Sequence, residues 1–107
     1  MDQNCIFCKI VSKEIPAKIE YEDEHCIVFH DIRPRAKVHV LVIPKKHIAT
    51  MNEMMKEDEP IMGRVMKAAV DAAQKLEVKA YKLLISVGKE AGQEVFHIHV
   101  HVMSAPS

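Results

Sequence analysis

The most regular pattern of polar and apolar positions lies near the C-terminus, where three histidines alternate with apolar residues over 97–103. A period of two residues predicts a half-buried β-strand, because successive side chains of a strand point to opposite faces. Ile98, Val100 and Val102 are then expected to face a core, with the three imidazoles on the opposite side. A helix would scatter the histidines around its circumference, so the strand interpretation is favoured.

The rest of the chain predicts four more strands and two helices. A long amphipathic helix is expected after the acidic run 57–59 and Pro60, because acidic residues and proline both suit the first turn of a helix. A short helix over 5–11 is expected to be capped by Asn4. The additional strands are predicted over 18–22, 25–30, 38–43 and 81–87. This order of elements indicates an α+β fold with an antiparallel sheet of about five strands, one long helix and one short helix.

Length and composition limit the possible functions. We expect 107 residues to form a single domain, 1–107. The 15 basic and 15 acidic residues balance, so no nucleic-acid partner is expected. No apolar run reaches the length of a membrane span, and no secretory signal opens the chain. Three cysteines, an odd number, argue against a disulfide framework. We therefore expect a cytoplasmic protein.

The histidine-bearing face of the C-terminal strand indicates chemistry. His97, His99 and His101 have no other polar residue between them, and a solvated strand face would more naturally carry Lys, Glu or Thr. Three roles are open for such a row: metal binding, acid–base catalysis and nucleophilic attack by an imidazole nitrogen. A fourth histidine, His39, lies in the most apolar strand. From the pattern alone it is equally well explained as a hydrogen-bonded core histidine.

Cys5 and Cys8 form a second candidate site at the other end of the chain. Their spacing places both thiols on one side of the short helix, which supplies half of a tetrahedral zinc site. Histidines elsewhere would have to supply the other two ligands. Packing of the cysteines as small hydrophobic residues, and a reactive thiol near Lys9 and Lys13, are the alternatives.

Several sequence blocks together resemble the histidine triad (HIT) family. Residues 97–103 match its signature of three histidines separated by single apolar residues, and 91–96 match the segment before it. The blocks 5–10, 30–34 and 38–47 follow in the family's order. The chain looks most like the Hint branch, in its bacterial form with an N-terminal Cys-x-x-Cys. The resemblance implies the HIT fold and a homodimer.

The same resemblance implies an enzyme. Hint-like proteins are nucleoside phosphoramidases, which remove an amine or another leaving group such as phosphate from the α-phosphorus of a purine nucleoside monophosphate, through a nucleotidyl-histidine intermediate. The implied partner is a purine nucleotide such as an AMP conjugate. The alternatives are a non-catalytic nucleotide-binding or adaptor module and a Fhit-like dinucleoside polyphosphate hydrolase. A hydrolase with catalytic zinc bound by the triad is a further one.

The resemblance also assigns residues. His99 corresponds to the nucleophile, His101 to the histidine that contacts the phosphate and assists the leaving group, and His39 to the family's additional histidine. The nucleotide-binding positions implied are Asp31, Ile32, Ser86, Gln93, Glu94, Val95, His99 and His101.

A structural zinc ion is implied as well, with Cys5, Cys8, His47 and His97 as its ligands. The sequence departs from the family pattern at two positions. Ser86 stands where the Hint branch usually has asparagine and Fhit-like relatives have glutamine. Glu94 stands where family members often have a Ser or Thr that donates a hydrogen bond to the phosphate. A carboxylate cannot donate such a bond unless it is protonated.

Overall fold

Five antiparallel strands form one open sheet in the computed structural model, which describes residues 4–106. The strands are β1 (Ile19–Glu22), β2 (Cys26–His30), β3 (His39–Pro44), β4 (Tyr81–Leu84) and β5 (Val100–Ser104). They lie in the order β1-β2-β3-β5-β4. The helices are α1 (Ile6–Val11) and α2 (Glu59–Lys75), and short 3-10 turns occupy Met51–Glu53, Lys56–Asp58 and Lys89–Ala91. The predicted α+β fold is confirmed.

The two helices cover opposite faces of the sheet. On one face, α2 contributes Val65 and four alanines to a core with the inward residues of β2, β3 and β5. On the other face, Phe7 and Cys8 of α1 pack against Phe29, Leu41 and their neighbours. Because β3 is buried on both faces, its sequence is apolar throughout except at His39. His39 lies on the α1 face, since side chains alternate along a strand.

The histidine-bearing face is therefore covered, not solvated. Val100 and Val102 face a core, as predicted, and that core is the one formed with α2. His97 and His99 are 0% and 8% exposed in the layer beneath α1. His101 is half-buried and lies opposite Leu41 of β3. The alternation correctly separated two faces, but both of them pack against protein.

The strand begins three residues later than predicted, at Val100 instead of His97. The backbone N–H of Ile98 donates to Ile48 O, outside the β3–β5 ladder. On β3 the ladder meets Pro44, which has no N–H to offer and whose carbonyl oxygen accepts from the His97 ring. The segment 97–99 is thus extended but is held by other partners.

Two other predicted boundaries are also corrected. The strand predicted over 81–87 ends at Leu84. The short helix is capped by Cys5 instead of Asn4, because the Cys5 thiol accepts a hydrogen bond from the Cys8 backbone N–H.

Candidate metal and active sites

Cys5, Cys8, His47 and His97 meet between α1, the end of β3 and the segment before β5. His97 Nδ1 lies 3.4 Å from Cys5 Sγ, 3.5 Å from Cys8 Sγ and 3.2 Å from His47 Nδ1. The distance from Cys8 Sγ to His47 Nδ1 is 3.3 Å. Residues that are up to 92 positions apart in sequence thus direct their ligand atoms to one point.

The hydrogen bond behind His97 determines which of its nitrogens faces the cluster. His97 Nε2 lies 2.7 Å from Pro44 O, and a carbonyl only accepts, so Nε2 carries the proton. Nδ1 therefore presents a lone pair to the two thiols. Burial lowers the pKa of His97 to about 4, which keeps the ring neutral. A neutral imidazole oriented by a backbone carbonyl is the usual arrangement of a metal-binding histidine.

The spacing of the four ligand atoms matches a tetrahedral ion. Bonds of about 2.0 Å to nitrogen and about 2.3 Å to sulfur require neighbouring ligand atoms about 3.3–3.8 Å apart. Four of the six distances among these atoms lie between 3.2 and 3.5 Å, close to the short end of that range, and all six are within 4.8 Å. Two thiols and two imidazoles are also the donor set of closed structural zinc sites. The residues present therefore fit such an ion.

Within residues 4–106, one ring nitrogen of His99 is hydrogen-bonded and the other has no hydrogen-bond partner. Its Nδ1 lies 2.7 Å from His97 O and must be the donor, so Nε2 carries a lone pair. Burial lowers the pKa of His99, which keeps that lone pair unprotonated at neutral pH. Phe7 of α1 packs edge-on against the ring, with centroids 5.1 Å apart. A neutral, oriented imidazole with a free Nε2 is equipped for nucleophilic attack.

A chain of hydrogen bonds determines the tautomers of His39 and His101. The Arg35 backbone N–H donates to His39 Nδ1 at 3.0 Å, so the proton of His39 is on Nε2. His39 Nε2 then donates to His101 Nδ1, 2.9 Å away. Asp31 Oδ2, 3.5 Å from His39 Nε2, also favours a proton there. Because Nδ1 of His101 accepts this hydrogen bond, the ring proton of neutral His101 is on Nε2, which is a hydrogen-bond donor.

Burial and neighbouring groups keep this pair neutral. Burial is the main cause that lowers the pKa of His101 to about 4, followed by the nearby His99, His39 and Arg35. Burial also lowers the pKa of His39, opposed by the carboxylate of Asp31. His99 and His101 lie side by side, with ring centroids 5.0 Å apart. The site thus places a lone pair on one imidazole beside an N–H donor on the next.

Asp31 and Ile32 lie in the loop between β2 and β3, at the edge of this site. Asp31 Oδ1 accepts a hydrogen bond from the Arg33 backbone N–H, which stabilises the turn. The Ile32 side chain is 92% exposed. An apolar side chain so exposed beside a carboxylate is consistent with a contact surface for a nucleoside.

The loop 85–96 carries the other predicted nucleotide-binding residues. Gln93 is buried, and its amide accepts from Gly88 N and donates to Ala49 O and Val95 O. All its amide groups thus bind backbone, so Gln93 shapes this loop. Ser86 is half-buried and lies beside Gly92, whose φ of 97° requires glycine. Glu94 is exposed and, with Val95, lines an open groove beside the start of α1.

Two contacts to the histidines were not predicted from the sequence. Phe7 lies between the paired cysteines and touches both His97 and His99, but an apolar helix residue carries no signal of such a contact. Arg35 places its guanidinium 3.5 Å from His101 Nδ1. Its position in the conspicuous Arg-Pro-Arg loop was the available signal. The third cysteine, Cys26, is buried in the core, where burial raises its pKa to about 11 and makes it unreactive.

Known proteins resemble this chain over nearly its whole length. A family model described as "Scavenger mRNA decapping enzyme C-term binding" matches residues 4–107. The chain is 44% identical to Protein HitA of Neisseria gonorrhoeae over 96% of its own length and 97% of that protein's. It is also 44% identical to a HIT family hydrolase from Clostridium thermocellum, with a TM-score of 0.95 over 98% of this chain and 93% of that one. The chain belongs to the histidine triad (HIT) family.

A second solved HIT structure bears on the cysteine–histidine cluster. A zinc-bound histidine triad family protein from Mycobacterium smegmatis is 40% identical and has a TM-score of 0.81, over 94% of this chain and 74% of that one.

Within residues 4–106 of the present chain, no helix is long and apolar enough to cross a membrane.

Proposed function

We propose that this HIT protein is a nucleotide hydrolase that acts on purine nucleoside monophosphates bearing an amine or a phosphate on the α-phosphorus. The observation that carries the proposal is the hydrogen bond from His99 Nδ1 to His97 O, which leaves Nε2 as a lone pair beside the N–H of His101. The Clostridium thermocellum relative is a HIT family hydrolase, which supports the proposal.

In the first step, His99 Nε2 attacks the α-phosphorus and forms an N–P bond. The bond between phosphorus and the leaving nitrogen breaks, its electron pair goes to that nitrogen, and a proton taken up from solvent completes the neutral amine. His101 Nε2–H donates a hydrogen bond to a phosphoryl oxygen, where charge develops. In the second step water attacks phosphorus, the N–P electron pair returns to His99, and one proton of the water is released. The products are the amine and the nucleoside monophosphate.

The nucleotide is proposed to lie across the loops at the edge of the triad. Asp31 would accept hydrogen bonds from the ribose hydroxyls, and Ile32 would cover the nucleoside. Ser86 and the loop 93–95 would lie along the ribose and phosphate. The Gln93 side chain would contribute by holding that loop, because its amide is already bonded to backbone.

We also propose that the cluster of Cys5, Cys8, His47 and His97 holds a structural zinc ion. Four protein ligands complete a tetrahedral shell and leave no position for a reacting water. Helix α1 has only six residues, too few to be stable by itself, so a metal at its first turn would stabilise it on the sheet. The ion would supply no chemistry to the reaction.

Catalytic zinc at the triad is disfavoured by the tautomers. Asp31, His39 and His101 come close enough to hold an ion. Both nitrogens of His39 are engaged, however: Nδ1 accepts from Arg35 N, and Nε2 donates to His101. In this arrangement His39 has no lone pair for a metal.

A homodimer is proposed from the edge of the sheet. Strand β4 is an edge strand of the described sheet, and Leu84 on it is 38% exposed. Pairing of β4 with its copy in a second chain would cover this edge. The mass of wild type and Leu84→Lys in solution tests this: the substitution should shift the dimer towards the monomer, and a monomeric wild type would contradict the proposal.

The function is tested with adenosine 5′-phosphoramidate, by measuring AMP release and covalent labelling of the protein. The wild type should release AMP and carry a transient adenylyl group, whereas His99→Ala should bind AMP but neither turn over nor become labelled. If both proteins bind AMP without turnover, the chain is a nucleotide-binding module. Faster cleavage of diadenosine triphosphate than of the phosphoramidate would instead indicate a Fhit-like hydrolase.

A further inference from the structure

The loop between β2 and β3 brings an unpaired cation to the triad. The Arg35 side chain is exposed, and within residues 4–106 no carboxylate lies within ion-pairing distance of its guanidinium. Its one polar side-chain contact there is His101 Nδ1, 3.5 Å from Nη2. The exposed Lys13, Lys46 and Lys67 each pair with an acidic residue. Arg33 in the same loop has no ion-pair partner within residues 4–106 either, but only Arg35 of the two contacts a triad histidine there. Arg35 is therefore available for an anion that the protein does not itself supply.

The position of Arg35 indicates which anion this would be. Its guanidinium contacts His101, the histidine assigned to the phosphate and the leaving group. The carboxylate beside the triad, that of Asp31, lies 3.5 Å from His39 Nε2 and is bonded to the turn at Arg33. The nucleoside side of the site thus carries the acid, and the His101 side carries the cation.

The chemistry of arginine narrows the class of ligand. A guanidinium presents a planar fork of N–H donors that matches a carboxylate or a phosphate. The guanidinium would form no ion pair with a neutral leaving group. Arg35 also positions His39 through its backbone N–H, but any residue except proline could do that. The side chain therefore needs a separate explanation.

We propose that Arg35 selects substrates whose leaving group carries an anionic oxygen group, a carboxylate or a phosphate. The inference rests on the proposed hydrolase function and adds a substrate class to it. The guanidinium pairs with the anion of the leaving group while His99 attacks the α-phosphorus. Arg35 is thus a specificity-determining residue on the leaving-group side of the triad.

The test uses three adenosine 5′-phosphoramidates, made from β-alanine, 2-aminoethyl phosphate and β-alaninamide. The first two carry a carboxylate and a phosphate, and the third is the neutral control. Arg35→Gln removes the charge and keeps the backbone N–H that holds His39. The matched control is Arg33→Gln, which removes the same charge from an exposed position two residues away in the same loop.

For Arg35→Gln, kcat/KM should fall about five- to tenfold on the two anionic substrates and less than about twofold on the neutral one. Arg33→Gln should change all three by less than about twofold. The preference of the wild type for the anionic substrates should shrink as salt is added, because the pairing is near the surface. A larger effect on one anionic substrate would identify carboxylate or phosphate as the better ligand.

Three results would overturn the inference. An equal loss on all three substrates would mean that Arg35 acts on the α-phosphate or through His101. An unchanged preference in Arg35→Gln would mean that it contacts no part of the leaving group. If Arg33→Gln lost the same preference, the positive charge of the loop as a whole, and not Arg35 in particular, would attract the anionic substrates. If the protein is not a hydrolase at all, the wild type leaves all three substrates intact, including the neutral one. That result differs from the three above, and it overturns both the proposed function and this inference.

Discussion

The Nδ1–H group of His99 donates a hydrogen bond to the backbone oxygen of His97, 2.7 Å away. The ring of His97 is itself held by Pro44 O and faces the two cysteines. One residue of the triad thus belongs to the candidate metal cluster through its side chain and to the candidate active site through its backbone. Because His97 and His99 are two positions apart, this hydrogen bond links the candidate metal cluster directly to the candidate nucleophile.

The first prediction concerns this contact. In His99→Gly, AMP release should be lost, and added imidazole should restore part of it, because imidazole can donate to His97 O and attack with its other nitrogen. N-Methylimidazole should restore much less at equal concentration, since its methyl group blocks the donor. Steady-state AMP release measures both. Equal rescue by the two compounds would show that the carbonyl does not orient the nucleophile.

A second prediction concerns the cysteine–histidine cluster. Cys5→Ser should lower the amount of zinc bound per chain and decrease the free energy of unfolding. A metal that binds only the folded state stabilises that state, by about 2.7 kcal/mol when its free concentration is 100 times its Kd. Zinc per chain by atomic absorption and unfolding by urea are the measurements. Cys26→Ala is the control, since Cys26 is buried in the core away from the cluster and should keep its zinc. Loss of zinc from this control, or its retention in Cys5→Ser, would contradict the assigned ligands.

The third prediction is a pH dependence of stability. His101 has a folded-state pKa of about 4 against an ordinary value of 6.5. As the pH falls from 6.5 towards 4, the unfolded chain takes up a proton that the folded chain does not bind, so folding loses stability. His101→Gln should therefore lose less stability than the wild type over this window, measured by urea unfolding at several pH values.

His39, His97 and His99 are present in both proteins, so the difference in slope reports on His101 together with its contacts to His39 and His99. An identical slope in His101→Gln and the wild type would show that the folded protein protonates His101 normally.

The fourth prediction concerns Gln93. Gln93→Leu leaves the partly buried Gly88 N, Ala49 O and Val95 O without their side-chain partner, and a polar group left unpaired in the interior costs about 1–3 kcal/mol. The free energy of unfolding should fall by about 2 kcal/mol or more, and the KM for the phosphoramidate should rise as the loop moves. Urea unfolding and steady-state kinetics measure the two effects.

Its neighbour supplies the comparison. Glu94→Gln alters an exposed side chain and should change stability by less than about 0.5 kcal/mol. If Gln93→Leu were as stable as this variant, the amide of Gln93 would not be holding the loop.

Local pattern was sufficient for the elements of the fold. The alternation around His99, the stripe of α2 and the apolar run of β3 each depend on periods of two or 3.6 residues, which neighbouring side chains reveal by themselves. The exact ends were less accessible. The start of β5 at Val100 depends on Pro44, a residue on another strand.

The order of residues along the chain is enough to place three histidines on one face of an extended segment, to identify the cysteine pair and to recognise the family. Which nitrogen of each histidine carries its proton depends on the folded structure. Those protons depend on Pro44 O, His97 O and Arg35 N, which reach the rings through folding and leave no mark in the side-chain pattern. The contact of Arg35 with His101 likewise joins residues 66 positions apart, so no local rule could find it.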